Sequence, residues 1–193
     1  MSTTSSPGAT SSADGPFLPV AHRPAATPPG ASGWTSDVGL LVLRLVLAVS
    51  FIGHGAQKFG AFGGTGIDAF AAGTLTGYGF RFPLALAYVN GLTELVGGIL
   101  VAVGLLTPLA ATGLMAVMID SALLKFGNGF FFTNPGGYEV DVALGGLAAG
   151  IVLLGAGRLA LDTRMPVINR ETPRWVLLGL GIVAALAVYF LLR

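Results

Sequence analysis

"PLALAYVNGLTELVGGILVAVGLLTPLAATGLMAVMIDSALLK", residues 83–125, contains two long apolar runs joined by little more than a Thr-Pro pair. Pro83 suits the first turn of a helix, where its missing N–H goes unneeded, and the run it opens continues to Leu106. Thr107–Pro108 turns the chain straight into a second run that ends near Lys125. At about 1.5 Å per residue, runs of this length cross a hydrocarbon core of about 30 Å. So short a connection makes the two helices antiparallel neighbours.

Working outward, three further apolar segments appear: Asp37 to Lys58 with Arg44 inside it, Tyr138 to Ala156, and Trp175 to Leu192. The expected fold is all-α: a transmembrane helical bundle with a four-helix core over 37–162 and a fifth C-terminal transmembrane helix over 175–193. Residues 1–36, rich in Ser, Thr, Pro, Ala and Gly, read as a disordered tail, because they cannot bury enough surface to offset their ordering entropy. They lack the basic start and apolar stretch of a signal peptide. Residues 163–174 read as a polar linker.

Composition agrees. The chain of 193 residues is 53% hydrophobic and 10% charged, with a mean hydropathy of +0.80, whereas a soluble domain carries about 25% charged residues. A net charge of +1 with scattered cations argues against nucleic acid as a partner. The chain has no cysteine and two histidines, which removes thiol chemistry, thiolate metal sites and a bis-histidine haem within one chain. No intrinsic cofactor and no metal site are expected; in any redox process the electrons travel on something the protein binds.

Small residues recur four apart, at Ala87/Gly91, Gly98/Ala102, Gly146/Gly150 and Gly181/Ala185, a spacing that lets helix backbones approach. Helix alternation puts Arg23, Arg158, Arg164, Arg170 and Arg174 on one side, against Lys58, Arg81, Lys125 and Arg193 on the other. The positive-inside tendency then gives a multi-pass plasma-membrane protein with a cytoplasmic N-terminus.

The polar groups of the apolar segments gather in the outer half. His54, Gln57 and Lys58 close the first helix, Asn90 and Glu94 lie one turn apart on the second, Asp120 and Lys125 end the third, and Glu139 and Asp141 open the fourth. Loops 59–82 and 126–137 cap this end. Glu94 lies near the midplane, where a carboxylate must be paired, protonated or wetted. Its candidate partners are His54, Lys58 and Arg44; at 100° per residue Arg44, Phe51, Gly55 and Lys58 share one stripe with His54 at its edge. A His54–Glu94 contact follows if that stripe faces helix two. Plainer roles compete: Lys58, Lys125 and Arg44 as snorkelling cations, Asp120 in a structural pair with a lysine, and Glu139 and Asp141 as helix-start acids. "FGAFGGTG" (59–66) has no strand before it, so it is no dinucleotide loop. Residues 66–80 read as a short interfacial helix, and the aromatics of 126–138 as a headgroup belt or a lid.

"HGAQKFGAFGG" (54–64), "NGLTELVGGILVAVGLLTPLAA" (90–111), "NGFFF…GGYEVD" (128–141) and "GAGRLALD" (155–162) resemble the DoxX family of small bacterial membrane proteins. His54, Gln57, Lys58, Glu94 and Glu139 fall on motif positions of that family. Lys125 stands where many relatives have histidine, Asp120 where an apolar residue is usual, and the fifth helix adds to the usual four. The resemblance implies a four-helix bundle and a link to respiratory or sulfur-linked redox chemistry, one branch supplying a subunit of a membrane thiosulfate:quinone oxidoreductase. Three readings follow. The first is a non-cofactor subunit of a quinone-linked complex, with His54, Gln57, Lys58, Asn90, Glu94, Asp120, Lys125 and Glu139 as candidates for quinone binding or proton relay. The second is a membrane scaffold that recruits redox or stress-response proteins through its tail and the 157–174 connection. The third is a small proton-coupled transporter. Lipid, a redox-protein partner and a second copy of the chain are the expected partners.

Overall fold

A computed structural model of the protein describes residues 1–2, 32–133, 136–164 and 173–193. The disordered-tail reading of 1–36 and the linker reading of 163–174 fall largely outside these residues, as do Arg23 and Arg170. Every regular element among the described residues is helical.

Helix α1 spans Ser32–Lys58. A short α2, Ile67–Ala69, runs on as a wider π-helical stretch, Phe70–Leu75. Then follow α3 (Pro83–Val103), α4 (Thr107–Lys125), α5 (Glu139–Leu154) and α6 (Arg174–Leu191). Four of these (α1, α3, α4 and α6) are long and apolar enough to cross a membrane. At 16 residues, α5 is shorter and rises about 24 Å. It nevertheless runs the length of the bundle: Asp141 in its first turn pairs with Lys125, and Ala156 just past its end accepts a bond from Arg44.

The bundle is apolar on the outside as well as inside. Val49, Val89, Leu109, Val183 and Phe190 are each more than half exposed, an arrangement that water would penalise and lipid would not. Leu47, Phe51, Val101, Leu114, Ile151 and Val152 form the buried centre. Neighbouring helices meet through small residues. A Cβ on Gly55 would lie 2.6 Å from the Leu95 nitrogen, and one on Gly98 would lie 3.2 Å from the Ala48 oxygen. Helix α6 seats Gly181 against Thr112, where a Cβ would lie 3.2 Å from the Thr112 oxygen. The expected Gly146/Gly150 contact is not made, since neither glycine has anything within 4 Å of where a Cβ would stand; Gly145 faces Met118 instead.

The Asp37 end of the bundle corrects two expectations. Helix α1 begins at Ser32, ahead of Asp37, because Asp37 does not mark a water-facing start: it is buried and accepts the backbone N–H of Arg158 at 2.9 Å. Arg44 does not snorkel. It is 1% exposed and donates to the carbonyls of Val101, Ala102, Ala156 and Leu159 at 2.8–3.0 Å. These oxygens lie at or beyond the C-terminal ends of α3 and α5, where intrahelical donors run out, so the guanidinium satisfies a helix end and the chain after another. The tight α3–α4 turn puts Leu106 in the left-handed region at φ 50°. The buried Asp162 carboxylate holds that turn, accepting the N–H groups of Leu106 at 2.7 Å and Thr107 at 2.9 Å.

Candidate functional site

Near the Lys58 end, a cavity of about 460 Å³ opens between α3, α4 and α6 under the α2 segment. That volume lies in the range of small-molecule sites. Its walls are mostly apolar, with Lys58, Thr74, Tyr78, Asn90, Thr93, Glu94, Asp120, Ser121 and Lys125 supplying the polar groups. The α3 run places Asn90 and Glu94 one turn apart on the face that meets α4. Helix α4 brings Asp120 and Ser121 in its final turns, and its small residues Gly113 and Ala116 leave the room between them.

Glu94 is 3% exposed and accepts a hydrogen bond from Lys58 Nζ. Lys58 turns inward and is itself 16% exposed, so the snorkelling reading gives way to a buried ion pair. Its ammonium also sits 4.9 Å from the centre of the Phe70 ring, a cation–π contact that holds α2 over the pair. Lys125 makes two 3.0 Å bonds to Asp141, which is 4% exposed. Asp120 therefore takes no lysine as a structural partner. Its Oδ1 is buried without a hydrogen-bond partner among the described residues, and so is Oδ1 of Asn90. Unpaired buried oxygens cost on the order of 1–3 kcal/mol each. Both belong to side chains that line the cavity.

Three candidates fall elsewhere. His54 and Gln57 are exposed and do not line the cavity; Glu94 pairs with Lys58 rather than with His54. Glu139 accepts the Phe132 N–H at 3.0 Å, pinning the aromatic loop beside α5. That loop is no lid. Phe126 stacks on Tyr138 at 5.4 Å and Phe130 meets the same ring edge-on, and none of these rings reaches the cavity. Residues 66–80 do form the expected short helical segment, and it roofs the cavity through Phe70, Thr74, Leu75, Tyr78 and Phe80. Among the described residues, no group of three or more His, Asp or Glu is placed to hold a metal ion.

Sequence reading missed Asp141 as the partner of Lys125, the Arg44 and Asp162 contacts, and the wall that α6 contributes through Ala184, Ala185 and Val188. Only the last left a signal, in the Gly181/Ala185 spacing. The segment after α5, expected as part of a docking surface, is tied as far as Asp162 to Asp37, Arg44 and the α3–α4 turn, while the side chains of Arg158, Leu159, Leu161, Thr163 and Arg164 stay exposed.

The DoxX family model matches residues 39–126. The Bacillus subtilis (strain 168) protein named "Putative oxidoreductase CatD" is 32% identical over 126 residues, 65% of this chain and 86% of that one. The chain belongs to the DoxX family. No solved structure matches it. In this DoxX protein the ion pair, Asn90, Asp120 and Lys125 all lie inside the matched region, whereas the α6 wall of the cavity lies beyond it.

Proposed function

We propose that this DoxX-family protein binds the hydroxyl-bearing headgroup of a membrane quinol in the α3–α4–α6 cavity and accepts its protons, as the non-cofactor subunit of a redox assembly. The observation that carries this reading is the pair of buried, unpartnered oxygens on Asn90 and Asp120. An acceptor without a donor is satisfied by a ligand that brings O–H groups, and a quinol brings two where a quinone brings none. Oxidation of a quinol breaks both O–H bonds and releases two protons and two electrons. The Asp120 carboxylate takes one proton by direct contact, and the Glu94 carboxylate, ion-paired with Lys58, is the acceptor for the other. The electrons pass to a partner protein that carries a redox cofactor. The name of the Bacillus subtilis relative supports the link to redox chemistry.

Arg158, Arg164 and Arg174 share the Asp37 end of the bundle, with Arg174 bonded to the Leu153 carbonyl at 2.8 Å. The positive-inside tendency then puts that end in the cytoplasm and the cavity in the outer half of a bacterial plasma membrane. The test is a titration of the pure protein in nanodiscs with a quinol and the matching quinone. Tighter binding of the quinol, lost in Asp120→Leu, is the expected result. Equal binding of the two forms, or none, sinks the reading.

A further inference from the structure

The cavity has a mouth, and α6 makes half of it. Helices α3 and α6 both line the cavity yet scarcely meet; each is held to α4 instead. On one side Gly97 and Gly113 of the α3–α4 contact face Leu114 and Thr93, with Cβ positions 3.0 and 3.1 Å from them. On the other, Gly181 closes α6 onto Thr112. The result is a crevice whose floor is α4 and whose inner end is shut by these close approaches.

The Lys58 end is largely covered as well. Ala71, Leu75, Phe80 and Ala87 pack with Leu124, Val188 and Leu192, so the α2 roof bridges α3, α4 and α6. The backbone N–H of Arg81 donates to the Leu192 carbonyl at 2.8 Å, and Arg193 Nε donates to the Tyr78 carbonyl at 2.9 Å. What stays uncovered lies mostly between the helices: Val89 is 61% exposed and Ala184 is exposed too, with Thr74 exposed in the roof, although all three line the cavity. Val89 and Ala184 each lie about 10 Å in from the helix end nearest the roof. That depth is hydrocarbon, not water.

We infer that the site is entered sideways from the bilayer, between Val89 of α3 and Ala184 of α6, by an amphiphile whose apolar tail stays in the crevice mouth while its polar head reaches Asn90 and Asp120. This rests on the quinol reading for the identity of the head, but the portal itself does not. The occupant of the mouth is a single flexible hydrocarbon chain. Its flanks, Val89 and Ala184, are apolar, and Asn90 and Asp120 are less exposed than either.

Two measurements test it. The chain has no cysteine, so Ser121→Cys carries a single nitroxide label inside the cavity of the full-length protein in liposomes. Oxygen, which concentrates in hydrocarbon, is expected to relax that label more than a water-soluble nickel chelate does. Greater access by nickel, or access by neither, overturns the portal whatever the ligand. The second variant, Ala184→Phe, fills the mouth. It is expected to weaken a long-tailed quinol about tenfold and leave a tail-less quinol unchanged. Equal loss for both overturns the portal. If the unaltered protein binds neither quinol, the head assignment fails while the oxygen-to-nickel comparison still decides the route. Dipolar broadening between labels at Ala184→Cys means that a second copy covers the mouth, and overturns the portal.

Discussion

Lys58, in the last turn of α1, donates a hydrogen bond to Glu94, buried in the middle of α3 and 36 residues away along the chain. Each would be a stranded charge without the other. Inside a bundle the cost of dehydrating two ions roughly offsets their attraction, whereas removing one partner leaves the other uncompensated.

Lys58→Met is therefore expected to destabilise the protein by about 3–5 kcal/mol, and Lys58→Met with Glu94→Leu by clearly less. Unfolding of both variants in mixed micelles measures the difference. A double variant weaker than the single one would mean that the pair is not the main interaction of either residue.

Binding should separate the two sets of polar residues. Asp120→Leu removes an acceptor in the cavity and is expected to weaken quinol binding about tenfold, the value of one well-placed hydrogen bond. His54→Ala and Gln57→Ala, outside the cavity, leave the affinity unchanged. The same nanodisc titration reads all three.

Helix contact is tested by paired glycines of α1. Gly55→Ala puts a methyl group 2.6 Å from the Leu95 nitrogen, whereas Gly39→Ala meets nothing within 4 Å. The first is expected to lower the thermal midpoint by the equivalent of about 1–3 kcal/mol. The second holds or raises it, since alanine favours helix over glycine by about 0.5–1 kcal/mol.

At the other end, Arg44→Lys keeps the charge but not the fork. An ammonium cannot reach the carbonyls of Val101, Ala102, Ala156 and Leu159 together. Loss of about 2–4 kcal/mol is expected from the bonds left unmade. Limited proteolysis between residues 157 and 173 should speed up in this variant and not in Gly39→Ala.

The helices were legible because apolar length and Thr107–Pro108 are strong local signals, and 100° periodicity put Arg44, Phe51, Gly55 and Lys58 on one inward stripe. All four lie on the packed side of α1, with Arg44 and Phe51 each 1% exposed. His54 was legible only as the edge of that stripe, and the edge faces outward. The Asn90–Glu94 face and Asp120 were readable from spacing, but that Asn90 and Asp120 lack partners depends on where α6 packs. Arg44 and Asp162 were beyond reach for a plainer reason. Their partners are backbone carbonyls and N–H groups, which every residue carries and no sequence advertises.

The Arg44 bonds also bear on how the protein is made. Arg44 reaches the membrane with the first helix, but the oxygens of Ala156 and Leu159 that it needs are 112 and 115 residues further along. Through the insertion of α3, α4 and α5 its guanidinium has only part of its final set of acceptors. Until the chain beyond α5 is synthesised, α1 must be held near water, phosphates or the insertion machinery. The Asp37 end of the bundle is thus completed only when the chain beyond α5 arrives, and a nascent chain truncated before residue 156 leaves Arg44 short of two of its four carbonyls.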